Sequence, residues 1–204
     1  AAMSTCQTLN PYNFLTVSSQ FIKDNMPTNF IHIPKAAGSS IYQIIDVNHS
    51  INYCGHTRIV DIPTVAITRH PYDRIISGYF YLIEGGGQSE LDLGFCEQLK
   101  KYSSFKDFVM HLEEDNLLEI LHLRPMSYFL CNDNGELVVT KVFKMEEINK
   151  IDNFLISQGL QKLSEVHANI SNHSHYTDYL DEEIIKEINR LYEKDFKLFN
   201  YRML

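Results

Sequence analysis

Three short stretches of this chain carry side chains whose types and spacing suit the chemistry of anions. The first is Pro34-Lys35-Ala36-Ala37-Gly38-Ser39-Ser40. Residues 30–33 ahead of it are apolar or β-tolerant and read as a buried strand. Pro34 takes the chain out of the sheet, because it has no N–H for a central ladder. Ala36, Ala37 and Gly38 carry almost no side chain, so a ligand can approach the backbone closely. Ser39 or Ser40 then caps a helix running through Tyr42, Ile44 and Ile45. A helix N-terminus with a lysine at its mouth is a ready anion site; the plainer alternative is an ordinary turn with an exposed Lys35.

The second stretch is Arg69-His70-Pro71-Tyr72-Asp73-Arg74-Ile75-Ile76-Ser77. It follows the β-rich run 64–68, and Pro71 suits the first position of a helix. If both strands are parallel neighbours, Lys35 and Arg69 converge on one crevice at the carboxyl ends of the sheet. Ser77 lies two turns into the helix and shares an anion with Arg69 only if the helix bends back beside the site. Two separated phosphate positions imply a ligand with phosphates at both ends. The third stretch is Gly55-His56, between the other two. Histidine ionises near working pH and is the usual general base toward a hydroxyl; the alternative is a surface histidine.

The elements that must position these residues are those of one α/β domain spanning 1–204, a length that supports a single good core. Ala1-Ala2-Met3 reads as a cloning remnant ahead of a natural Met3. A net charge of -8 argues against general nucleic-acid binding. No window has the length and apolarity of a membrane span or a secretory signal. The expected location is therefore cytoplasmic, with a trimmed Golgi-lumenal domain as the alternative. Cys6, Cys54, Cys96 and Cys131 form no C-x-x-C pair and read as free thiols. Glycosylation sequons at Asn48, Asn169 and Asn172 do not settle the compartment.

Along the chain, Phe14, Val17, Phe21 and Ile22 suggest an early helix, and 51–54 a short strand. Ile75, Ile76, Tyr79 and Phe80 share a helix face that ends at Gly85-Gly86-Gly87, and the aromatic group Tyr79, Phe80 and Tyr81 reads as core. Helices are expected at 95–102 and 104–114, the latter capped by Ser104 and Asp107. Residues 128–131 and 137–143 read as a hairpin about Asn134-Gly135. Amphipathic helices follow at 146–157, stopped by Gly159, and at 181–196, with a polar loop over 164–178 between them. His32 reads as a packed residue near the site, Asp73 and Arg74 as structural, and His70 as having no assignable role. The spacing of His167, His173 and His175 has no carboxylate or cysteine partner that would make a metal site.

With both junctions in hand, the chain resembles the sulfotransferases that use 3′-phosphoadenosine 5′-phosphosulfate (PAPS). The likeness is greatest to the carbohydrate sulfotransferases of the Golgi and their bacterial and viral relatives. Pro34 to Ser40 is similar to their 5′-phosphosulfate loop, and Arg69 to Ser77 to their 3′-phosphate motif. Gly55-His56-Thr57-Arg58-Ile59-Val60-Asp61 is similar to a stretch in carbohydrate 2-O-sulfotransferases, and 195–201 resembles the segment that closes many members. The resemblance implies a P-loop-containing α/β fold, with a central parallel sheet flanked by helices. It implies PAPS as donor co-substrate, a hydroxyl acceptor that is a carbohydrate, no metal, and no nucleic-acid partner. Lys35, Ala36, Ala37, Gly38, Ser39, Ser40, Arg69 and Ser77 would hold the donor. Lys35 and His56 would be catalytic, with Glu84 or Glu113 in reserve as the base, and the loop with the late histidines would cover the adenosine. The competing classes are a non-catalytic nucleotide- or glycan-binding module and a kinase-like phosphotransferase. The kinase is disfavoured because a Walker loop places its lysine after the last glycine, and here Lys35 precedes Gly38.

Overall fold

In the computed structural model, which describes residues 28–45, 51–56, 63–166 and 174–204, four short strands form one parallel sheet. They are β1 (Thr28–Ile31), β2 (Ile51–Tyr53), β3 (Thr64–Thr68) and β4 (Lys141–Lys144), in the order β2-β1-β3-β4. Phe30 sits opposite both Tyr53 and Val65, and Ala66 opposite Val142. β1 and β3 are buried along their whole length, as central strands of a parallel sheet covered on both faces are, although β1 begins with Thr28 and Asn29 and β3 has a threonine at each end. The edge strands β2 and β4 are only partly buried.

Side chains leave the two central strands alternately. Phe30, Val65 and Ile67 face one layer, built from α1 (Gly38–Ile45) and α6 (Ile148–Ser157), where Ile41, Ile44, Ile151 and Leu155 are buried. Ile31 and Ala66 face the other, with Met126, Phe129, Leu130 and Phe199. A third cluster joins α2 (Pro71–Ile83) to α7 (Glu182–Leu191) through Ile75, Ile76, Ile184 and Ile188. The chain is thus an α/β protein, with a central parallel sheet flanked by helices. Among the described residues no helix is long and apolar enough to cross a membrane.

Several sequence expectations are corrected. The hairpin does not form: Ser127–Leu130 is a helical turn, α5, and only a single antiparallel bridge joins Cys131 to Leu137. Buried Asp195 decides this, accepting the N–H groups of Met126 (2.6 Å) and Ser127 (2.8 Å) and so capping α5 from far along the chain. The second half of the expected hairpin instead supplies β4, parallel to β3. Helices α3 (Glu90–Leu99) and α4 (Phe105–Met110) differ in extent from the expected pair, although Ser104 does accept the Asp107 N–H. The helix expected over 181–196 breaks at Tyr192 into α7 and α8 (Glu193–Leu198). Tyr192 is buried, with its hydroxyl donating to the Leu123 carbonyl at 2.5 Å. Helix α1 begins at Gly38, so Ala37, not Ser39 or Ser40, precedes it. Among the described residues, Cys54, Cys96 and Cys131 form no disulfide. The early helix, the sequon asparagines, Asp61, His167 and His173 lie outside the described residues.

Candidate active site

The sheet order has a switch point: the chain leaves β1 toward β2 on one side and returns to β3 on the other. A crevice must open where those connections diverge. A cleft of about 760 Å³ lies there. Its lining takes Lys35, Ala37, Gly38, Ser39 and Ser40 from the first junction, and Arg69 and Ser77 from the second, together with His56. Ala36 is the exception among the sequence candidates. Its methyl is buried in the core beneath the loop, and its N–H donates to the Ile33 carbonyl at 3.2 Å.

The first junction is bent tightly. Lys35 and Ala37 both take left-handed backbone, with φ of 67° and 61°, a conformation that costs about 1–2 kcal/mol for a residue with a Cβ. The bend delivers the chain into α1, whose first backbone bond runs from the Ile41 N–H to the Ala37 carbonyl at 3.0 Å. The N–H groups earlier in the turn therefore have no carbonyl of the helix itself to donate to. Gly38 has a second reason for being glycine. A Cβ there would fall within the imidazole of His32, far inside the 3.0 Å that real Cβ atoms respect.

Arg69 ties the two junctions together. Its Nε donates to Asp73 at 2.6 Å and its Nη1 to the Lys35 carbonyl at 3.2 Å. The guanidinium is thereby held as a rigid fork at the floor of the cleft. Arg74, fully buried, donates to the carbonyls of Pro34 (3.0 Å) and Arg124 (2.6 Å), pinning the first loop against α2. Arg74 is thus structural as expected, whereas Asp73 lies in the cleft and orients Arg69. Ser77 lines the cleft from within the uninterrupted helix α2. Asp73, Ser77 and Tyr81 are spaced four apart and line it as one stripe.

Lys35 projects from the bend so that its Nζ lies 4.1 Å from the centre of the Tyr81 ring. Burial and the Arg69 charge bring its pKa down to about 8, with Glu84 pulling the other way. His56 arrives on a turn zipped to the end of β1. The His32 N–H donates to the Gly55 carbonyl at 2.7 Å, and Gly55 takes a left-handed φ of 60°. The His56 Nδ1 then lies 2.6 Å from the His32 carbonyl. A carbonyl only accepts, so Nδ1 carries the proton and the Nε2 lone pair is left available. His32 packs against His56, ring centres 4.9 Å apart, and its Nδ1 is bonded to the Tyr53 hydroxyl.

Two cleft residues have no sequence motif to announce them. His122 lines the cleft with its Nδ1 buried and without a partner. Burial lowers both His32 and His122 to about 4, so both are neutral at working pH. Tyr81, expected in the core, stands in the cleft wall. Of the reserve bases, Glu113 pairs with Arg190 at 2.6 Å away from the cleft, and Glu84 is exposed beyond its lining. His175 does line the cleft. His70 stacks on Tyr72 and Tyr176, with ring centres at 5.2 and 5.5 Å.

A parallel sheet with a helix N-terminus, a lysine and an arginine facing its switch-point crevice defines an α/β protein with a cleft whose donors and charges suit an anion. The comparison with protein families narrows this class: the chain belongs to the sulfotransferase family, whose model matches residues 19–202. Members transfer sulfuryl groups and generally use PAPS. No curated protein and no solved structure matches the chain.

Proposed function

We propose that this chain moves a sulfuryl group from PAPS to the hydroxyl of a carbohydrate, with His56 as general base. PAPS, when bound, supplies the sulfuryl group, whose bond to a phosphate oxygen breaks as its bond to the acceptor oxygen forms. The backbone N–H groups from Ala37 to Ser40 and the Lys35 ammonium hold the end of the donor that reacts. Lys35 offsets negative charge growing on the departing phosphate oxygen. Arg69 and Ser77 hold the 3′-phosphate, and Asp73 fixes the arginine's orientation. His56 takes the acceptor proton on Nε2, and its imidazolium is steadied by the His32 carbonyl at Nδ1. What remains of the donor is adenosine 3′,5′-bisphosphate. The donor is strongly anionic, and the cations and helix N-terminus of the cleft suit it. The carbohydrate acceptor rests on the family resemblance, and the likeness to the 2-O branch on the Gly55-His56 stretch.

One observation carries this reading. His56 shares a cleft with Lys35 and Arg69 and has its Nδ1 proton committed to a backbone carbonyl. The test is transfer of labelled sulfate from PAPS to a panel of glycans, with adenosine 3′,5′-bisphosphate binding measured by calorimetry. His56→Ala is expected to lower turnover by about 10²–10⁴-fold, with bisphosphate affinity kept. An active His56→Ala variant removes the base assignment. A parent chain that binds the bisphosphate yet sulfates nothing on the panel would be a binding module instead.

A further inference from the structure

Tyr81 has no part in the chemistry above, yet the fold holds its ring in place from several directions. Its hydroxyl donates to Asp92 at 3.4 Å, and Asp92, itself buried, also accepts the Gly87 N–H at 2.9 Å. The Gly86 N–H donates to the Tyr81 carbonyl at 2.8 Å. A Cβ on Gly86 would come within 2.8 Å of both the Tyr81 ring and the Asp92 carboxyl. The three-glycine loop is therefore moulded onto this pair. The His122 ring packs against Tyr81 with centres 4.8 Å apart. The face so fixed lies under the Lys35 ammonium at 4.1 Å.

We propose that Tyr81 is a positioning residue for Lys35, its ring face keeping the ammonium charged and aimed into the cleft before the donor arrives. Lys35 needs such a partner. Burial opposes its charge, and so does Arg69 at the end of β3. Of the other groups facing it, His32 and His122 are neutral, and Glu84 is an exposed carboxylate. A close carboxylate would hold Lys35 more tightly, but it would repel the anionic donor. An aromatic face attracts the cation through its quadrupole and brings no net charge into the cleft.

This inference rests on the proposed role of Lys35 only for its consequence in turnover, and the experiment separates the two. The Lys35 amine is acylated across a pH series in the full chain without donor, and the modified site is read by mass spectrometry. Tyr81 is replaced by phenylalanine, by phenylalanines carrying one, two and three ring fluorines, and by leucine. The fluorinated rings keep the shape and weaken the quadrupole, so the series stands even if Tyr81→Leu fails to fold. Tyr81→Phe is expected to keep the labelling midpoint of the parent. Successive fluorines are expected to lower it, by about half a pH unit or more in all, with the alkaline limb of kcat/KM moving down in step. A midpoint unmoved by three fluorines overturns the proposal. So does a Tyr81→Phe variant displaced as far as the trifluoro one, which would make the hydroxyl and not the face responsible. Displaced labelling with an unmoved kcat/KM upholds the pairing and removes Lys35 from the reaction.

Discussion

Replacing Gly38 by alanine tests whether the first loop and the candidate base are one mechanical unit. The new methyl would land within the His32 ring, and that ring has little freedom to give way. Its Nδ1 is bonded to the Tyr53 hydroxyl, it packs on the Tyr53 ring at 5.7 Å, and it lies 4.9 Å from His56. Swinging it aside loses a partly buried hydrogen bond, about 0.5–1.5 kcal/mol, and adds overpacking strain of about 1–3 kcal/mol. The sum is about 1.5–4.5 kcal/mol, or roughly 3–18 °C in Tm for a chain of this size. Thermal unfolding of Gly38→Ala is the assay, beside bisphosphate binding by calorimetry. His32→Ala in the same background should return the overpacking share of the lost stability, because the obstacle is then gone, but not the share from the Tyr53 hydrogen bond. A Gly38→Ala protein within a degree or two of the parent, or a double variant no better than the single, would refute the reasoning.

Arg69→Ala should weaken adenosine 3′,5′-bisphosphate binding by about 10–100-fold, as expected for losing charge-assisted hydrogen bonds, whereas Lys35→Ala should lower turnover far more than bisphosphate affinity; calorimetry beside the transfer assay checks both, and unchanged affinity in Arg69→Ala contradicts its assignment. Acid should destabilise the fold well above the carboxylate range. His32 and His122 titrate near 4 when folded against an ordinary 6.5, so the unfolded chain binds more protons between those values, and stability present above pH 6.5 is lost as pH falls toward 4. Each contributes up to about 3 kcal/mol, and equal Tm values at pH 7 and pH 5 would contradict the burial that sets them.

The parts of the fold that were readable in the sequence are those fixed by local chemistry. The run of β-formers at 64–68 and Pro71 mark the second junction unaided, and they become β3 and the first residue of α2. Residues 128–131 misled because their neighbours in sequence favour a strand, while the Asp195 carboxylate that caps them as α5 comes from the far end of the chain. The break at Tyr192 has no Gly or Pro to mark it; it goes with burial of a tyrosine whose hydroxyl finds the Leu123 carbonyl. At the site, Lys35, Arg69 and His56 stood out because each adjoins a strand end or a glycine turn. His122 did not, since no motif surrounds it and only the tertiary fold brings it to the cleft. Tyr81 was within reach: its spacing of four from Ser77, and of eight from Asp73, puts all three on one side of a helix.

That shared side gives α2 the character of a measuring rod. Successive members stand about 6 Å apart along the axis, because a helix rises about 1.5 Å per residue. Side-chain identity along the rod can vary one position at a time, but its length cannot. One residue inserted between Asp73 and Ser77 would turn the remainder of the helix by about 100°, swinging Ser77 and Tyr81 out of the cleft together and taking the ring away from Lys35. Insertions and deletions in related chains are therefore expected to collect in the surface connections and to spare 69–81.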